Sequence, residues 1–295
     1  MIPEKSKTSG VADYYNKNTR RFLRLGQGGK QLSIHRAVWG PGVADRQSAF
    51  HYVHNSILKT IQEIRPKSVI DLGCGIGGSM IYLAEKTAPK FIGVTISSIQ
   101  KEIGAGLMKE KNLSDRCTIF HHDFSDAVFI GELVKKKSEK PLLVFCIESF
   151  VHAIESDRFV RDLSRFLTPG DVLIICDDFL TKTGGEPNSE KKKRLLREFK
   201  QGWKIGTLLE IGSVRKLGDK YGFDLQQDEN LTMYLEIGRP RDVLIRILIR
   251  LLKIFLIKAK FTGSSWLDNL IGGNALQKSI RTGLIEYHFL VFQKI

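Results

Sequence analysis

Cysteine is scarce in this 295-residue chain, and its four copies, Cys74, Cys117, Cys146 and Cys176, stand far apart with no C-x-x-C pair among them. That spacing suits neither a zinc site nor a disulfide framework. Cys146 and Cys176 fall inside apolar runs and read as small core residues of a protein in a reducing, cytoplasmic compartment. No uncharged apolar run approaches the ~18 residues of a membrane span. The opening "MIPEKSKTSG" is polar, so no signal peptide is expected. Internal repeats and low-complexity stretches are absent too. Acidic charge is in deficit: 46 Lys and Arg face 32 Asp and Glu, a net +14. Such a balance is compatible with nucleic acid, an anionic membrane surface, an anionic small substrate or a merely solvated basic face. The apolar fraction of 42% is that of a globular protein.

What the chain does have is alternation. Residues 1–10 read as a loose tail. Residues 11–65 form a mixed N-terminal segment with a helix over "DRQSAFHYVHNSILKTIQEI", stopped by Pro66. From residue 66 to 180, short apolar strands alternate with helices: "KSVIDLG", "KFIGVTI", "CTIFHHD", "LLVFCIES" and "VLIICDDF" are the strands. Strands that are apolar throughout belong to a parallel sheet covered on both faces. The expected fold is therefore doubly wound α/β. Residues 181–295 supply the rest of the sheet, including "LIEYHFLVFQKI" as the final strand, with a helical, capping insertion at about 239–275.

The stretch "VIDLGCGIGGSM" carries the chemistry. A buried strand delivers Asp71, and Gly73, Gly75, Gly77 and Gly78 follow around Cys74. Glycines there let backbone approach a ligand at the carboxyl edge of the sheet. The spacing is not the G-x-G-x-x-G of a dinucleotide site, and an acid two residues before the first glycine suits a cationic ligand better than a pyrophosphate.

This pattern resembles the first motif of class I methyltransferases that use S-adenosylmethionine, whose sheet has seven mostly parallel strands. Where most such enzymes place a ribose-binding acid, the chain has Thr95 in "GVTISSIQ". That wording is similar to a narrower group: cyclopropane fatty acid synthases, tocopherol C-methyltransferases and prenyl diphosphate C-methyltransferases. "HHDF" and "IESFVH" agree in order. The resemblance implies Gln100 at the ribose, Ser97 beside it, Asp123 and Phe124 at the adenine, and Ile147 at the end of the fourth strand. It also implies Glu148, His152 and Tyr15 as catalytic candidates around the donor methyl group. Glu148, at the end of a buried strand, is expected to have its pKa raised by burial and to act as a base, or else only to orient the cofactor.

The segment "YYNKNTRRFLRLGQGGKQLSIHRAVWGPGV" resembles the lid of prenyl diphosphate C-methyltransferases. It implies Tyr14, Arg24, His35 and Trp39 at the acceptor, joined by Phe150, Trp203 and Tyr234 as cation-facing aromatics. Arg20, Arg21, Arg24, Lys30 and Arg36 would offer charge to a diphosphate. The implied reaction is methylation of an isoprenoid alkene, with a carbocation quenched by deprotonation or captured in a cyclisation. Mg2+ is an option with a diphosphate, although no dedicated metal ligands are expected; Asp177 and Asp178 are a weak pair. Alternatives are an O-, N- or phenol C-methyltransferase of small molecules and, less favoured, an RNA methyltransferase. Nucleic acid is not the expected partner. Residues 243–257, "VLIRILIRLLKIFLI", are too aliphatic for an ordinary surface helix. They would cap a greasy pocket, lie on a membrane or join two copies of the chain.

Overall fold

The computed structural model describes residues 10–19, 32, 35–153, 155–182, 189–256 and 265–295, without the side chains of 250, 252–256, 265 and 266. Helix α1 spans 10–19. Helix α2, Arg46–Ile64, starts at a capping box in which the Asp45 carboxylate accepts from Ser48 N. It ends with Arg65 in the left-handed conformation, because the residue before Pro66 is barred from the helical region.

The sheet follows: β1 Ser68–Leu72, β2 Lys90–Thr95, β3 Cys117–His121, β4 Leu142–Ile147, β5 Val172–Leu180, β6 Phe223–Asn230 and β7 Ile285–Lys294. Between them lie α3 Gly78–Ala84, α4 Ser98–Glu110, α5 Ala127–Lys137, α6 Ser156–Ser164, α7 Glu190–Trp203, α8 Ile211–Lys220, α9 Pro240–Leu256 and α10 Ser265–Arg281. The strand order is β3-β2-β1-β4-β5-β7-β6. β1 to β5 pair in parallel, whereas β7 runs antiparallel between β5 and β6. The order reverses beside β1, and at that point β1 and β4 open a crevice at their carboxyl ends.

Period-two side-chain alternation builds a core on each face. Val69, Leu143, Phe145 and Ile174 point to one, and Ile70, Val144, Cys146 and Ile175 to the other. All four cysteines are buried and free. On one side α7 crosses α10 at Gly202 and Gly272. A Cβ on Gly202 would lie 2.7 Å from Gly272 Cα and 2.4 Å from Asp268 O, so the backbones touch. This close crossing holds Trp203 and the inner face of α10 against the crevice.

Candidate active site

A cavity of about 410 Å³ opens over the carboxyl ends of β1, β2, β4 and β5, within the range of small-molecule sites. Its floor is the glycine loop. Asp71, Gly73, Cys74, Gly75 and Ile76 line it. Gly73 has φ +90°, and a Cβ there would sit 2.3 Å from that of Ser149, so two independent reasons demand glycine. Gly77 lies outside the lining. Its φ of +80° makes the turn into α3, and an added Cβ would meet Met108 Cε at 2.8 Å. Asp71 is 3% exposed and has no hydrogen-bond partner among the described residues, and burial pushes its carboxyl well up. An orphan carboxylate edging a glycine cradle is a ready acceptor for an ammonium group.

Farther along the sheet edge, Thr95 Oγ1 donates to Gln100 Oε1 at 2.6 Å, which leaves the Gln100 amide nitrogen for a ligand. Both residues line the cavity, as do Asp123 and Phe124. Asp123 Oδ1 accepts from Ser125 N at 2.8 Å. Ser97 does not reach the cavity. It caps α4 by accepting from Gln100 N, and its hydroxyl donates to Asn16 Oδ1 at 2.6 Å, tying α1 to the cofactor edge.

Glu148 follows Ile147 at the end of β4 with φ +51°, a strained value for a residue with a side chain. Its Oε1 accepts from Arg36 N and Nε, both at 2.9 Å, and from the Tyr287 hydroxyl at 3.1 Å. The remaining Arg36 nitrogens donate to both Asp178 oxygens at 2.8 and 2.9 Å, and the guanidinium lies 4.2 Å from the Tyr287 ring centroid. The expected upward pKa shift of Glu148 is therefore corrected. Burial does push upward, but the Arg36 charge and its hydrogen bonds outweigh it and hold the carboxyl below the usual glutamate range. Arg36 likewise is no free phosphate ligand, because two carboxylates neutralise it. Asp177 also lines the cavity. Its oxygens accept from Val151 N and Asp178 N, and burial raises its pKa.

The lid side brings Tyr14 and Tyr15 over the crevice. Tyr15 donates from its hydroxyl to His152 Nε2 at 2.9 Å, and His152 Nδ1 faces Lys204 O at 3.3 Å. Burial lowers the His152 pKa, so the ring is neutral and carries its proton on Nδ1. His35 lines the cavity and begins a chain, with its Nε2 2.9 Å from His54 Nε2 and His54 Nδ1 3.0 Å from His51 Nδ1. Trp203 completes the aromatic wall, and Val11, Val151, Leu235, Ile237, Leu276 and Ile280 make it greasy.

Three expected acceptor residues stand elsewhere. Phe150 is 1% exposed in the core between Phe159 and Phe179. Trp39 packs on the cluster of Ala37, Ala49 and Phe50, and Tyr234 lies against the sheet core. Trp39 N donates to Tyr234 O at 2.8 Å. Arg20, Arg21, Arg24 and Lys30 lie outside the described residues. Sequence reasoning missed Tyr287 and the role of Arg36 as a hub. The only available signal was the alternation of β7, which puts Tyr287 on one face with Ile285 and Phe289.

Fold and site together define a doubly wound domain with a glycine-lined site for a small cationic cofactor. The chain belongs to the methyltransferase-domain family, whose family model matches residues 47–228. Among its relatives, a probable chloroplastic tocopherol O-methyltransferase of Oryza sativa is 38% identical over 113 residues, covering 38% of this chain and 29% of that protein. A sterol 24-C-methyltransferase of Yarrowia lipolytica is 25% identical over 224 residues, 76% of this chain and 55% of that one. The chain thus spans less than two thirds of either relative. Among solved structures, the geranyl diphosphate C-methyltransferase of Streptomyces coelicolor A3(2), in complex with Mg2+, geranyl diphosphate and S-adenosyl-L-homocysteine, superposes with a TM-score of 0.65 at 14% identity, covering 100% of both chains. The cyclopropane synthase MmaA2 of Mycobacterium tuberculosis gives 0.70 at 16% identity, covering 97% of this chain and 98% of that one. At these identities the likeness is one of fold.

Proposed function

We propose that the protein is an S-adenosylmethionine-dependent C-methyltransferase acting on an alkene carbon of an isoprenoid. Asp71 would hold the cofactor's ammonium group, Gln100 its ribose, and Asp123 with Phe124 its adenine. Bound there, S-adenosylmethionine supplies a sulfonium methyl group that an electron-rich double bond can take up, leaving a carbocation on the acceptor. The chain's part is alignment, exclusion of water, and removal of one proton. The faces of Tyr14, Tyr15 and Trp203 stabilise positive charge in a cavity with aliphatic walls. Glu148 then takes a proton from the carbon next to the cation, and the electron pair of that C–H bond becomes the new double bond.

The observation that carries this reading is the ionised, arginine-held Glu148 beside the glycine cradle. A carboxylate of lowered pKa is a poor base for a phenol but strong enough for a carbocation, whose C–H is far more acidic. The finer reading is a prenyl diphosphate acceptor, supported by the basic residues at 20, 21, 24 and 30. A neutral isoprenoid is the second reading, favoured by the lining charges. Among the described residues, Asp71, Asp123, Glu148, Asp177, Asp178 and Glu236 face only Arg36 and Arg239 of the Lys and Arg side chains, and both arginines are ion-paired. The Asp177–Asp178 pair does not fit a metal ion, because Arg36 occupies both Asp178 oxygens and backbone amides hold Asp177.

The test incubates the protein and S-adenosylmethionine with prenyl diphosphates, with and without Mg2+, and with a sterol and a tocopherol precursor. Mass spectrometry then looks for one added CH2. Turnover of one isoprenoid is expected. Intact cofactor binding with no isoprenoid methylated contradicts the proposal.

A further inference from the structure

Helix α9 turns an aliphatic stripe to water. Val243, Leu244, Ile247, Leu248 and Leu251 are 40%, 67%, 48%, 38% and 49% exposed, and their spacing places them on a single stripe. The opposite face anchors the helix. Ile249 and Asp242 are buried there, and Asp242 holds Arg239 at 3.1 Å. None of the five stripe residues lines the cavity, which takes Arg239, Leu276, Gln277 and Ile280 from this region. The stripe therefore caps nothing within the described residues. Five adjacent large aliphatics are too many to be scattered surface residues, and such a patch marks a contact.

Charge identifies the partner. Residues 239–262 hold seven Lys and Arg against a single Asp, and six of them remain once Arg239, paired in the cavity wall, is set aside, in a chain of net +14. Two copies meeting through α9 would bring two such basic segments together, which like-charge repulsion opposes. An anionic lipid surface instead takes up both features, burying the stripe at the acyl boundary and attracting the basic segment through its net charge. No helix among the described residues is long and apolar enough to cross a membrane, so α9 would lie along the surface.

We propose that α9 docks this protein on an anionic bilayer. The docking does not depend on which acceptor the site uses, although it places the cavity's α10 wall, which packs on α9, near a source of greasy molecules.

The test is co-sedimentation of the full chain with vesicles of mixed phosphatidylcholine and phosphatidylglycerol, against vesicles of phosphatidylcholine alone, at two salt concentrations. The comparison variant is L244E/I247E/L251E, changed only at exposed positions. Its binding of S-adenosylhomocysteine reports whether the cofactor domain is intact. The expected result is partitioning to anionic vesicles roughly tenfold or more above that to neutral ones, weakened by salt, and reduced about tenfold or more in the variant. Equal partitioning to the two vesicle types, none to either, or a variant that binds like the parent overturns the proposal. So does a concentration-dependent dimer in light scattering that the variant dissolves, without vesicle binding. Should the variant lose cofactor binding, the parent's preference between the vesicle types and its salt dependence decide the matter.

Discussion

Arg36 governs the charge state of Glu148, the proposed base. Its guanidinium binds Glu148 and Asp178 together, and removing one partner of a buried ion pair costs about 3–5 kcal/mol. Arg36→Met should therefore lower the melting temperature by several degrees. It should also move the acid limb of the pH–rate profile. In the proposed reaction turnover needs Glu148 ionised, so it fails as pH falls through the Glu148 pKa. With Arg36 present that pKa lies below the ordinary value, and removing the Arg36 charge and its hydrogen bonds lets burial push it upward. The limb should shift to higher pH in the variant; an unmoved limb would show that Glu148 is not the titrating group. Glu148→Gln should lose about 10²–10⁴ of turnover while binding S-adenosylhomocysteine as before. The place of Glu148 was legible in "IESFVH", but its charge state was not, because its controlling partner lies 112 residues upstream. The same holds for Phe150, where spacing could not distinguish a core ring from a cavity wall.

At the scale of elements, the glycine loop and the five parallel strands were legible because they are local. Continuous apolar runs, turn residues and strand-end acids all lie within a few positions of one another. The antiparallel insertion of β7 between β5 and β6 is a long-range pairing that no window of sequence contains. Helix α1 closes the site through two contacts of the same kind, Asn16 to Ser97 and Tyr15 to His152. A neutral hydrogen bond contributes about 0.5–1.5 kcal/mol. Asn16→Ala should thus weaken S-adenosylhomocysteine binding roughly two- to tenfold by calorimetry, with little change in melting temperature. A melting temperature several degrees lower, with affinity unchanged, would make α1 a structural strap and not a lid.

Over the whole molecule, charge is divided by place. The chain is strongly basic, yet acids predominate around the cavity and the described arginines there are paired. An acidic, aromatic and aliphatic chamber suits the cations of the proposed reaction: a sulfonium donor, its ammonium group, and a carbocation in transit. Composition alone suggested anionic partners and could not reveal this division, which depends on which side chains the fold gathers at the sheet edge. In the proposed reaction the methyl group is delivered to carbon. The most direct measurement supplies S-adenosylmethionine labelled with 13C in its methyl group to the acceptor that turns over, and determines by NMR which atom the label joins. The labelled methyl should show a carbon-bound chemical shift and long-range 1H–13C correlations to the isoprenoid skeleton, with a rearranged double bond beside it. A label attached to oxygen or nitrogen would contradict it.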